Sequence, residues 1–211
     1  SGRVSVDLGG NGGLPSDAGL VLTNSLLDDF SKAKSLSFLS YSSLDLYGTG
    51  TFGSSSLGKL ALSAGEIRGF GTDGGTARIA ANELLIQNTA NVVASGTPPL
   101  APGTLELQAG TLSFGPGQGA VNGYQQVTPS AGKGITGQGT GGLTAQGNIT
   151  AIAPVTTGAA GAKRSITAGG TLTLLPSGGS GAVLAGGLGS SLSLGGTTVQ
   201  VDTNVVLPGG A

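Results

Sequence analysis

Gly48-Thr-Gly50-Thr-Phe-Gly53 spells GxGxxG, the spacing that cradles a dinucleotide pyrophosphate when a strand precedes it and a helix follows. Leu44-Asp-Leu46 supplies a strand. After Gly53, however, comes SSSLGKLALSAG, a turn and a second alternating run, so no helix N-terminus is there to meet a phosphate. With 43 glycines in 211 residues such a match arises by chance, and the segment reads as a turn between strands. Gly69-Phe-Gly71-Thr-Asp73-Gly-Gly75 is similar to one copy of a calcium-binding nonapeptide. That motif works by serial repetition, each ion being shared between successive turns, and a single copy reads as a plain turn. Asn148-Ile-Thr150 is a glycosylation sequon by letter only.

Hydrolysis would need clustered carboxylates with a partner beside them. The acids are Asp7, Asp17, Asp28, Asp29, Asp45, Asp73 and Asp202 with Glu66, Glu83 and Glu106, and only Asp28 and Asp29 adjoin. Without His or Cys, the Ser/His and Cys/His nucleophile systems are excluded. The chain is therefore read as a non-enzyme with no catalytic residues, no metal site and no cofactor. Three tyrosines remain as candidate ligand contacts. Tyr41 and Tyr47 flank Ser-Ser-Leu-Asp-Leu, and Tyr124 lies in a Gly-rich segment expected to be a loop. Tyrosine is equally at home in a strand with its hydroxyl at the surface.

Composition narrows what could position such residues. Only 9% of the chain is charged, against about 25% in an average soluble domain. Disorder does not fit 37% apolar content and a net charge of −1, and no triplet glycine period suggests collagen. Nine scattered Lys and Arg argue against nucleic acid. No apolar run is long enough for a membrane-spanning helix, so no membrane insertion is expected. Beginning at Ser1, the chain reads as a piece of something longer.

The apolar stretches repeat one phrase: alternation at period two, a Gly or Asn corner, then a second alternating run. KLALSAGEIRG, ARIAANELLIQ and TLELQAGTLSFG place that corner at Gly65, Asn82 and Gly110; later runs place it at Gly147, Gly169 and Gly195. The exchange of Gly for Asn predicts a left-handed backbone at the corner. These positions are 17 to 37 residues apart, which fits coils that share strands but differ in loops. A sandwich or barrel would also show many short strands. A recurring corner favours stacking, and the fold class is all-β, a parallel β-helix (solenoid) with one short helix and a long Gly-rich loop. This alignment stacks Glu66 on Glu83, an unfavourable like-charge contact.

The whole chain, 1–211, reads as one β-helix segment of about eight coils. Residues 1–35 are expected to cap it, with a short helix over 24–33 opened by a capping box, Ser25-Leu-Leu-Asp28. Residues 36–114 form regular coils, 115–142 a Gly-rich loop insertion, and 143–207 further coils.

SYSSLDLYGTGTFG, LALSAGEIRGFG, ARIAANELLIQN and GTLELQAGTLSFGPG together resemble the filamentous haemagglutinin family of large exoproteins, the passengers of bacterial two-partner secretion. The likeness is a style of repeat covering roughly 20–205. It implies a right-handed coil, an internal or carboxy-terminal position in a larger exoprotein, export through an outer-membrane transporter, and a secreted or surface location on a Gram-negative bacterium. It also implies a role in adhesion, aggregation or biofilm formation. Lack of Cys suits threading of an unfolded chain. The family's amino-terminal secretion domain is not found here, and nothing resembles a toxin site. Three functions follow: a structural rod; a module binding a glycan or a host or bacterial surface protein; and, last, a carbohydrate-active enzyme.

Overall fold

A computed structural model describes residues 2–10, 14–30, 33–93, 96–179, 181, 189–207 and 209. The chain opens with β1 (Val4–Asp7), β2 (Leu20–Leu22) and α1 (Asn24–Phe30). Then come β3 (Ser35–Leu39), β4 (Ser43–Tyr47), β5 (Gly50–Gly53), β6 (Lys59–Ser63) and β7 (Glu66–Phe70). β8 (Thr76–Gln87), β9 (Thr104–Phe114), β10 (Gly117–Asn122) and β11 (Gln126–Gly137) fill the middle. β12 (Thr140–Ala145), β13 (Asn148–Ile152), β14 (Val155–Gly158), β15 (Lys163–Ala168) and β16 (Thr171–Leu175) follow. β17 (Ser191–Gly195), β18 (Thr198–Val201) and β19 (Asn204–Val206) close the chain.

Among the described residues every pairing is parallel, and strands next to each other in space are a turn or more apart in sequence. The result is a β-solenoid of about 7 turns. Strands fall into three stacks. The first runs β2-β1-β4-β7-β10-β12-β15-β17. The long strands β8, β9 and β11 bend and serve the other two. Their first halves pair in line with β5, β13, β16 and β18; their second halves pair with β3, β6, β14 and β19. Where nothing interrupts a turn the repeat is 22 to 24 residues, as in Leu44↔Ile67, Gly117↔Gly141 and Val127↔Ile149.

Alternation decides which side chains enter the core. Leu60, Leu84, Leu112 and Ile135 stack in one inward column, and Leu105, Val127, Ile149 and Leu172 in another, all buried. Each such aliphatic chain contributes roughly 1.5–3 kcal/mol of burial. α1 covers the first end of the coil: Leu27 is buried, and the Phe30, Phe38 and Phe52 rings meet edge to face at 5.9 and 5.6 Å. The helix starts after Thr23, whose carbonyl accepts from the Leu27 amide. Ser25 therefore sits inside the first turn and not at the cap; the Asp28 side chain lies outside the described set, as do residues 31 and 32 of the expected 24–33 helix.

The structure corrects two expectations. First, 115–142 is no loop. β10, β11 and the first half of β12 lie in it, because pairing to turns on both sides outweighs the poor strand propensity of Gly. The excursions are elsewhere. The described residues between β8 and β9, 88–93 and 96–103, supply no first-stack strand, and β7 pairs directly with β10. In the third stack β14 pairs directly with β19, 49 residues further on in the register Val155↔Asn204.

Second, the six corners are not left-handed, and they are not equivalent. Gly65, Asn82, Gly110, Gly147, Gly169 and Gly195 are all absent from the positive-φ residues. Gly65 joins the third stack to the first, Asn82 and Gly110 join second to third, and the last three join first to second. What most of them share is crowding. A Cβ would lie 2.2 Å from the Val92 carbonyl oxygen at Gly65, 2.3 Å from that of Gln125 at Gly147 and 2.2 Å from that of Gln146 at Gly169. At Gly195 the nearest atoms are 3.3 Å away, so steric need is weaker there. The Glu66–Glu83 clash also disappears, since Glu66 pairs with Ser43 and Ala120, and Glu83 with Lys59 and Thr111.

Candidate functional site

The outward residues of the first stack are where polar chemistry collects. On β4 and β7 these are Ser43, Asp45 and Tyr47 beside Glu66, Arg68 and Phe70, in register. Outward positions of a sheet are normally wet, yet Ser43, Asp45, Glu66 and Arg68 are buried. Segments crossing the face explain this: residues 14–19 before β2, where the Ala18 carbonyl accepts from Ser5 Oγ, and residues 88–93 and 96–103 between β8 and β9.

The second crossing forms a strap, tied down largely through its backbone. Asn88 anchors its start, its Nδ2 donating to the Val92 and Gln118 carbonyls at 2.9 and 2.7 Å while its Oδ1 accepts from the Val92 amide. Asn91 holds φ at 50°, so the left-handed asparagine expected at Asn82 occurs in the strap instead. Arg68 Nη1 donates to the Gly96 carbonyl at 2.9 Å, and Thr72 Oγ1 to that of Pro102 at 2.9 Å. Val92 passes close over Gly65, which is why that corner cannot carry a Cβ.

Between strap and sheet lies a cleft of about 420 Å³, within the range of small-ligand sites. Gly119 and Ala120 make a low floor, Glu66 and Asn122 one wall, Gln118 and Thr144 the other, and Val92, Val93 and Thr97 the roof. Glu66 is 3% exposed. The Asn122 side-chain amide donates to Glu66 Oε1. Burial pushes the Glu66 carboxyl above its ordinary value, against the opposing pull of the Asn122 hydrogen bond and Arg68.

Beside the cleft, Asp45 is fully committed. Arg68 holds it at both oxygens, Nε to Oδ1 at 2.8 Å and Nη2 to Oδ2 at 2.7 Å, and Arg3 Nε stands 3.2 Å from Oδ2. Such a fork is directional as well as charged. Its hydrogen bond to Asp45 raises the Arg68 guanidinium further above its ordinary value.

The tyrosines separate. Tyr41 is 65% exposed on the turn before β4. Tyr47 stacks on Phe70 with ring centres 4.9 Å apart, a few residues from the cleft but not lining it. Tyr124, expected in a loop, is wholly buried in the core, its ring over Gly69 and its hydroxyl without a hydrogen-bond partner among the described residues. It is a core residue because it follows Val121 and Gly123 into the coil interior, and no surface contact is open to it.

The three GxGxxG glycines all adopt positive φ, 76°, 146° and 84°, and turn β4 into β5. Asp73, with φ 44°, lies exposed on the turn after β7. Among the described residues no three His, Cys, Asp or Glu side chains gather closely enough to hold a metal ion, and no helix is long and apolar enough to cross a membrane. Sequence reasoning missed Glu66, Asn122 and the strap, although the 28-residue interval between Asn82 and Gly110 marks the excursion. No protein-family model, curated protein or solved structure matches this chain.

Proposed function

We propose that this chain is a rod segment of a secreted bacterial exoprotein of the filamentous haemagglutinin type, working at the cell surface in adhesion, aggregation or biofilm formation. The supporting observation is the parallel pairing that runs through all turns, which places backbone hydrogen bonds along the coil axis. At about 4.8 Å per turn, seven turns supply about 34 Å of length. The absence of cysteine leaves the chain free of crosslinks during passage through an outer-membrane transporter. Catalysis is not assigned. Among the described residues Glu66 is the only carboxylate lining the cleft, and Asp45 beside it is held by two arginines.

Excising residues 36–207 from the parent exoprotein tests this reading. Cells carrying the shortened protein are expected to aggregate less while still exporting it. Unchanged aggregation, or a parent protein that stays inside the cell with its transporter intact, would overturn the proposal. A second reading, a binding module for a glycan or surface protein, is favoured by one observation: the strap encloses a polar cleft that a bare rod has no use for.

A further inference from the structure

The cleft beneath the strap has a composition that selects among ligands. Among the described residues its one ionisable lining group is Glu66. The remaining polar side chains are amides and hydroxyls, which both donate and accept. A carboxyl and an amide side by side, as in Glu66 and Asn122, offer an acceptor next to a donor, the pattern that two adjacent hydroxyl groups require. Val92 and Val93 supply an apolar patch opposite, suited to the C–H face of a sugar ring. An anionic ligand would meet the only carboxylate at close range, and a metal ion would find one acidic ligand.

The site is built, not incidental. Glu66 is buried on an outward position, which costs free energy unless something returns it. The floor is kept low by Ala120, paired in register with Glu66 and Thr144, where a long side chain would fill the volume. The strap is fixed by Asn88 and Arg68 independently of any ligand.

Resting on the binding-module reading, we infer that this cleft binds one neutral sugar residue of a glycan, Glu66 and Asn122 gripping two neighbouring hydroxyls while Thr144 and Gln118 contact the opposite edge.

The test is an amide chemical-shift titration of the intact 211-residue chain with methyl galactoside, methyl mannoside, methyl N-acetylglucosaminide and the anionic methyl glucuronide. At least one neutral glycoside is expected to shift the amides of Asn88, Ala120 and Thr144 saturably, with the glucuronide at least tenfold weaker. Ala120→Phe fills the floor and should abolish those shifts. Glu66→Gln keeps an acceptor but loses charge and should weaken binding about five- to tenfold. Ala120→Phe must show an unchanged melting temperature to count; if it does not, Thr144→Tyr narrows the same space from the other wall. Saturable shifts at other residues, unaffected by either filling variant, would overturn this site while leaving the binding-module reading intact. No saturable shift with any glycoside overturns the inference. If a glycan array of the same chain is also blank, glycan recognition falls with it. Stronger binding of the glucuronide would overturn the neutral ligand class.

Discussion

Tyr124 and Gly69 form one packing unit. A Cβ at Gly69 would fall 2.4 Å from the Tyr124 ring, and Gly69 is not among the positive-φ residues, so the ring and not the backbone conformation stands against a side chain there. Gly69→Ala should cost about 3 kcal/mol by overpacking. In a Tyr124→Leu background the same change should cost at least about 1 kcal/mol less, read by urea denaturation of the four variants. The Tyr124 hydroxyl is buried without a partner, so Tyr124→Phe should stabilise the fold by about 1 kcal/mol. Burial also holds its phenol above the ordinary 10.0, which favours the protonated folded state. The stability this group contributes is complete below pH 10.0 and falls as the solution grows more alkaline; the Phe variant should lose less stability there. Glu66 behaves alike at lower pH. Its raised carboxyl contributes stability that is complete below about pH 4.5 and is lost as pH rises through its folded value, so Glu66→Gln should gain on wild type from pH 4 to 7 in urea titrations.

Among elements, position in the stack sets local stability. β9 is paired along its whole length on both sides, to β8 and β11, whereas β2 and β18 each have one neighbour. Amide exchange should be slowest in β9 and β11 and fastest in β18, β19 and β2, with the gradient running outward. Uniform protection across the turns would contradict this. The strap is a different kind of element, held by side chains reaching to its carbonyls. Asn88 bonds both the amide and the carbonyl of Val92 and ties them to the Gln118 carbonyl of β10, so Asn88→Ala should raise exchange at Val92 while leaving β9 protected.

For the molecule as a whole, the two ends differ. α1 covers the first turn, while the last presents β17, β18 and β19 with Val199 and Val201 at 42% and 45% exposure. An open ladder with apolar side chains is a template for another strand. Sedimentation of the isolated chain should show concentration-dependent association that Val201→Lys suppresses, with no effect from a charge placed on α1 at Leu26. Association that survives Val201→Lys would locate the contact elsewhere.

Much of the fold was legible because period-two alternation depends only on local residue types. Leu60, Leu62, Ile79, Leu84, Leu105, Leu107 and Leu112 all face inward as their spacing predicts. Alternation also distinguished the GxGxxG turn from a nucleotide loop. It carries no information about which turn lies on which. Gly65 and Asn82 occupy similar phrases, yet belong to different corners. That shift turned the Glu66–Glu83 clash into Glu83 beside Lys59, and hid both the strap and the true place of Tyr124. Residue types thus determined that this chain winds into a coil with a greasy interior. Which outward carboxyl is buried, which glycine is crowded and where a cleft opens were decided by the tertiary stack, because each depends on a neighbour a full turn or more away along the chain.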